Sequence, residues 1–208
     1  MDKEFYVRNL PHYHPKHATF SIVFRLAGSL PKSVIDRLKE EHAKHVRFLL
    51  GISNERKRRE MILEYRSTHF EEFDSLLDTA SNGPYWLREE PVAQVVADSI
   101  RFRDEKKYEL LCYCIMPNHV HLIIKDVERS AAPLYKVLQS LKSYTSRQSN
   151  LLLQREGAFW QEESYDHVVR TGEELERTIW YVLHNPAKAG LVDSWEKWKW
   201  SYVKEGLI

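Results

Sequence analysis

Cysteine is nearly absent from this 208-residue chain: Cys112 and Cys114 are the only two. Two apart on a strand, they are badly placed to bond each other, which excludes a disulfide framework and predicts a reducing compartment. They form no Cys-x-x-Cys pair, and metal ligation by them is not expected. Long hydrophobic runs are absent too. Nothing approaches the roughly 20 apolar residues of a membrane span, and Met1 to Phe5 lack the apolar centre of a signal peptide. The expectation is a cytoplasmic chain with no membrane segment. Charge of one sign is also lacking, since the net charge is +1. Proteins that coat duplex nucleic acid are strongly basic, so any nucleic-acid argument must come from local charge. There is no internal repeat and no low-complexity tract.

What is present suits a packed core. Apolar residues make up 43% of the chain, with 6 Trp, 11 Tyr and 8 Phe, and 29% is charged. The segment 18–26 alternates apolar with other residues and reads as a first strand. Gly28 and Pro31 end it, and Pro31 suits a helix start. From about Lys32 to Ala80 the apolar spacing is helical, through Val34, Ile35 and Leu38 and later Phe70, Phe73, Leu76 and Leu77. Within it Arg56, Lys57, Arg58 and Arg59 form a basic run, either a solvated helix face or a phosphate contact. Asn82-Gly83-Pro84 breaks the pattern, and Pro91 opens a further helix through Ile100 and Phe102. Residues 27–105 therefore read as a largely helical insertion after the first strand, within one domain spanning 1–208.

The chain is organised around Met116-Pro117-Asn118-His119-Val120-His121. Segments 108–114 and 119–125 read as an antiparallel pair joined by a turn at 116–118. Alternate strand side chains share a face, so His119 and His121 project together. Two imidazoles fixed on a strand make half of a metal site. An isolated pair of this kind also occurs as solvated polar residues on an open strand face. A helix follows over 131–153, with Ser130 as a candidate N-cap and Pro133 in its first turn. Between 136 and 155 the charged residues are Lys136, Lys142, Arg147 and Arg155, a local charge of +4. Tyr144 and Gln148 lie four apart on this helix, on one face.

If that face meets the histidine strand, a metal held by His119, His121 and Gln148 sits beside a phenol. Opening a phosphodiester requires charge withdrawal from the non-bridging oxygens and an in-line nucleophile. The metal could supply the first and Tyr144 the second, through a phosphotyrosine intermediate. Phenol ionises only near pH 10, and cations such as Lys142 would help. Glu162, Glu163, Asp166 or His167 are alternative third ligands, although Asp166 and His167 also read as a structural hydrogen-bonded pair. Residues 159–170 read as extended, and 172–184 as a helix stopped by Asn185-Pro186. Trp195, Trp198, Trp200 and Tyr202 read as core-capping aromatics. Trp160 is a candidate for stacking on unpaired bases.

Met116 to His121 resembles the HUH motif of the IS200/IS605-type single-tyrosine transposases, and Leu141-Lys142-Ser143-Tyr144 resembles their nucleophile helix. The run from Phe159-Trp160-Gln161 through Tyr165-Asp166-His167 to Asn185-Pro186-Ala187-Lys188-Ala189-Gly190 is similar to the REP-associated tyrosine transposases, the domesticated branch of that family. The resemblance covers 19–28 and most of 108–192. It implies an α+β fold, a ferredoxin-like antiparallel sheet flanked by helices. It also implies a nuclease and strand-transferase, dependent on Mg²⁺ or Mn²⁺, that cleaves single-stranded DNA near REP-like hairpins through a 5′-phosphotyrosine. His119, His121 and Gln148 would be the metal ligands and Tyr144 the nucleophile. DNA contacts would come from Lys136, Lys142, Arg147, Arg155, Arg56 to Arg59 and Trp160. The chain would act on nucleoid DNA as a monomer or homodimer. The alternative is a hairpin-binding protein of the same fold that does not turn over.

Overall fold

A computed structural model describes residues 5–7, 11–13, 15–54, 56–57, 61, 65, 72–78, 83–127 and 132–208. It divides into two compact units, one formed by 1–27 with 84–208 and the other by 28–83. The first unit opens with a small hairpin of β1 (Phe5–Val7) and β2 (Pro11–Tyr13). Its main sheet contains β3 (Thr19–Arg25), β4 (Tyr108–Ile115), β5 (His119–Asp126), β6 (Tyr165–Val169) and β7 (Ser201–Val203). The strand order is β6-β3-β5-β4-β7 and every pairing is antiparallel. This is the expected α+β architecture. β5 lies at its centre, between β3 and β4.

The expected β4–β5 hairpin closes tightly, with the Met116 N–H donating to the His119 carbonyl at 2.9 Å. Pro117 falls in the turn, where its missing N–H breaks no ladder bond. A bulge at Leu111 shifts the β4 register between Leu110 and Cys112, so Leu111 and Cys112 both pack on the same side.

The two sheet faces are covered by different helices. Phe20, Ile22 and Phe24 of β3, Val120, Leu122 and Ile124 of β5, and Tyr113 and Ile115 of β4 form one core. They pack with α2 (Glu90–Arg103) and α3 (Leu134–Leu152). On the other face Leu111, Cys112, Cys114 and Ile123 pack against Ile179, Val182 and Leu183 of α4 (Gly172–Lys188). Those three α4 side chains are fully buried, each worth about 1.5–3 kcal/mol of transfer free energy. Burial also pushes the Cys112 thiol far above its ordinary range, so both free cysteines act as small apolar residues.

α4 starts at a local cap. Thr171 Oγ1 accepts from the Glu174 N–H at 3.1 Å, and Glu174 accepts from the Arg170 N–H at 2.8 Å. The sequence predicts its end at Asn185-Pro186, but the helix runs to Lys188 with Pro186 inside it. One missing N–H in the last turn is tolerated. The stop is Gly190, at φ 68°, beyond which the Leu191 N–H donates to the Pro186 carbonyl at 2.9 Å. Of the tail aromatics, Trp195 and Trp198 pack on the α4-side core and Trp200 and Tyr202 on the other.

In the second unit α1 (Lys32–Leu50) begins directly after Pro31, as its position predicts. It carries exposed i,i+4 pairs between Arg37 and Glu41 and between Glu40 and Lys44. His45 stacks on Tyr65 at 3.7 Å. Residues 72–78 are helical, and Leu77 among them is buried. No described helix is long and apolar enough to cross a membrane.

Candidate metal centre and nucleic-acid surface

His119 and His121 are fully buried and project from β5 toward α4. Their rings meet edge to face, with centroids 4.7 Å apart, and the two Nε2 atoms are 2.9 Å apart. His119 Nδ1 lies 2.7 Å from Asn118 Oδ1. An amide oxygen can only accept, so this contact assigns the proton to Nδ1 and leaves a lone pair on Nε2, aimed at His121. Two imidazole nitrogens held this close suit a shared proton or a cation between them. The donor set therefore fits a divalent metal, with Asn118 as the group that orients one ligand.

Three further residues complete this face. Arg25 is the register partner of His119 and is 5% exposed; desolvation lowers its pKa to about 10. Asn185, in the last turn of α4 and fully buried, brings its amide to 3.0 Å from His121 Nε2. The Tyr181 and His121 rings meet edge to face with centroids 6.4 Å apart, and Lys188 Nζ lies 5.2 Å from the Tyr181 ring centre. Arg25, Asn118 and Asn185 were not among the residues expected at the site. Arg25 was legible in principle, because strand alternation puts it opposite Phe20, Ile22 and Phe24. Asn185 reads from the sequence only as a helix stop.

Tyr144 and Gln148 do not join the histidines within one chain. The stripe that α3 gives to the sheet is Leu134, Val137, Leu138, Leu141, Thr145 and Ser149, and it packs on the face opposite His119 and His121. Tyr144 lies at the α2 edge of that stripe and is 46% exposed. It interacts with Arg103, whose pKa burial lowers while the Tyr108 and Tyr144 phenols oppose the shift. Gln148, one turn on, is half-buried. The alternative ligands are also placed elsewhere. Glu162, Glu163 and Asp166 line a cleft against α3. His167 faces α4 and bonds Glu174 at 2.7 Å. The expected Asp166–His167 pair is therefore a His167–Glu174 pair, because neighbours on a strand point to opposite faces.

The basic residues divide in two. Lys136 and Arg147 are exposed, and eleven residues apart they share one face of α3, adjacent to Tyr144. Arg56 and Lys57 are exposed in the second unit, while Arg58 and Arg59 lie outside the described residues. Lys142 instead ties down the 161–164 segment, donating to the Gln161 carbonyl at 2.6 Å, the Glu162 carbonyl at 2.7 Å and Ser164 Oγ at 3.3 Å. Arg155 bonds Asn150 Oδ1 at 2.5 Å and the Ala158 carbonyl at 3.2 Å, and sits 3.8 Å over the Trp86 ring. Trp160 corrects the expectation of base stacking. It is 6% exposed, packed edge to face against Phe24 and Phe159, and its indole N–H donates to Thr145 Oγ1 at 2.9 Å. A ring enclosed on both sides has no face to offer a base.

The model of the family "Transposase IS200 like" matches residues 86–185, from just before α2 to the buried Asn185. That stretch, just under half of the chain, is similar to the transposase family. A curated protein of Haemophilus influenzae, named as a candidate REP-associated tyrosine transposase, is 27% identical over 103 residues. That match covers 45% of this chain and 58% of the relative, so the chain spans under two thirds of it. A solved structure of a REP-associated tyrosine transposase bound to a REP hairpin superposes with a TM-score of 0.54 at 16% identity. It covers 94% of this chain and 80% of that one and shares its fold. The histidine pair lies on β5, the central strand of the sheet and part of the matched stretch.

Proposed function

We propose that this chain cleaves and rejoins single-stranded DNA beside a hairpin, with a divalent metal at His119 and His121 and Tyr144 as nucleophile. The observation that carries the reading is the buried Nε2–Nε2 approach of 2.9 Å on the central strand of an IS200-like fold. A bound Mg²⁺ or Mn²⁺ would draw charge from the scissile phosphate. Asn118 keeps the His119 proton on Nδ1, so Nε2 carries the lone pair that would ligate the metal. The Tyr144 oxygen would attack phosphorus, losing its proton and forming a 5′-phosphotyrosine as the 3′ oxygen leaves. The phosphoester so formed keeps the bond energy, and attack by a 3′ hydroxyl reverses the step. Exposed Lys136 and Arg147 beside Tyr144 supply phosphate contacts on the same helix face.

Because the sheet stands between Tyr144 and the histidines, this chemistry requires a re-docked α3 or the α3 of a second copy. The same separation favours a second reading, a hairpin-binding protein that does not turn over. The two separate in one experiment, with labelled single-stranded hairpins, Mn²⁺ and the His119→Ala variant. Cleavage abolished by the substitution, with hairpin affinity within about threefold of wild type, supports catalysis. Absence of cleavage by the wild type over a broad hairpin pool, with binding intact, supports the binder.

A further inference from the structure

The two sides of α4 differ in kind. Its inner side chains, Ile179, Val182 and Leu183, are buried in the core. Its outer side carries Arg177, Trp180, His184 and Lys188, all exposed, at successive spacings of three, four and four residues. Those spacings put them on one stripe, about 16 Å from end to end. We propose that this stripe binds the unpaired DNA beside a hairpin, with a base stacked on Trp180 and phosphates on Arg177 and Lys188. This rests on the hairpin reading given above and holds for either form of it, the cleaving enzyme or the binder.

Three observations carry the assignment. Of the six tryptophans only Trp180 is exposed, at 38%. Its ring is braced, with centroids 5.3 Å from His184 and 6.4 Å from Trp195. His184 is fixed in turn, because its Nδ1 donates to the Trp180 carbonyl at 2.9 Å. Exposed rings already held in place lose little freedom when a base stacks on them. Charge is the second observation. No acid occurs between Arg177 and Lys188, and Glu173 and Glu176 lie before the stripe begins. Near Trp195, Asp193 is paired with Lys197 at 2.7 Å, and Glu196 accepts from Ser194. Cations on either side of an aromatic ring, with no carboxylate between, suit a polyanion with flat bases. The third is direction. Lys188 Nζ lies over the Tyr181 ring, and that ring meets His121. A strand laid along the stripe therefore has its Lys188 end beside the histidine pair.

The test compares a hairpin carrying a single-stranded tail with the same hairpin lacking it, by fluorescence anisotropy in EDTA, so that binding is read without metal-dependent cleavage. Wild type should bind the tailed form more tightly. Trp180→Ala should weaken tailed binding by about tenfold and leave the bare hairpin unchanged, and Trp180→Phe should recover most of the loss. Lys188→Met should lower the slope of log affinity against log salt for the tailed form by about 0.7. Circular dichroism checks each fold; should Trp180→Ala not fold, the Lys188→Met slope decides, and an unchanged slope overturns the assignment. Tailed and bare hairpins bound alike by wild type, or wild-type tail affinity in Trp180→Ala, also overturns it while leaving the hairpin reading standing. A wild-type dimer that Trp180→Ala dissociates, with tail affinity intact, would give this face to a second copy instead. Binding of neither form by wild type would remove the hairpin reading and the stripe with it.

Discussion

The turn of α3 that carries Tyr144 is tied to Trp160 by a buried hydrogen bond. Thr145 is fully buried; its hydroxyl donates to the Leu141 carbonyl at 2.9 Å and accepts from the Trp160 indole at 2.9 Å. Thr145→Val keeps the shape but leaves the indole N–H without that acceptor. A stranded buried donor costs about 1–3 kcal/mol, and 2 kcal/mol lowers Tm by about 4–8 °C in a chain of this size. Thr145→Ser retains the hydroxyl and should lose much less, chiefly one methyl. Trp160→Phe removes the donor, so adding Thr145→Val to it should cost far less than in wild type. The double-mutant cycle should give a coupling of at least about 1 kcal/mol. Thermal unfolding followed by far-UV circular dichroism reads all four variants. A Thr145→Val variant as stable as Thr145→Ser, or additive costs in the cycle, would refute the claim that this bond holds the helix.

Four further predictions concern charge and capping. Arg147→Ala should reduce the slope of log affinity against log salt for a single-stranded hairpin by about 0.7. Lys142→Met should leave that slope nearly unchanged and instead speed proteolytic cutting within 161–164, because its ammonium is occupied by that segment; the reverse pattern would return Lys142 to the DNA surface. Glu174 is opposed by burial, yet the hydrogen bonds from His167 and the Arg170 backbone together hold its pKa below the ordinary value. A depressed carboxyl stabilises the fold above its unfolded pKa, about 4.3, and loses that contribution as pH falls through its folded pKa. Glu174→Gln should therefore cost about 1–2 kcal/mol at pH 7, and the gap should narrow below about pH 4. Thr171→Ala should cost about 1 kcal/mol through loss of the helix cap, measured by denaturant unfolding.

Much of the sheet was legible because its signals are local. Strand alternation located β3, the Pro117 turn located the β4–β5 hairpin, and the same alternation put His119 and His121 on one face. The site was less legible because its remaining parts are set by packing. Tyr144 and Gln148 share a helical face, but sequence does not say which side of the sheet that helix covers. The buried stripe from Leu134 to Ser149 decides it. Trp160 looks like a stacking platform by residue type and proves to be core, since its N–H finds Thr145 fifteen residues away. Lys142 and Arg155 count as cations in a local charge, yet their hydrogen bonds commit them to neighbouring carbonyls and an amide. Asn185 was hidden by Pro186, whose helix-breaking tendency lost to the αL glycine four residues on.

The most direct test of the proposed chemistry is a search for the covalent intermediate. Wild type and Tyr144→Phe would be incubated with end-labelled single-stranded DNA hairpins and Mn²⁺, denatured, and examined by gel and by mass spectrometry of the tryptic peptides. The expected result is a denaturant-resistant adduct whose 5′ phosphate maps to Tyr144 and which vanishes in the Phe variant. Cleavage that survives in Tyr144→Phe without any adduct would contradict it and make water the nucleophile.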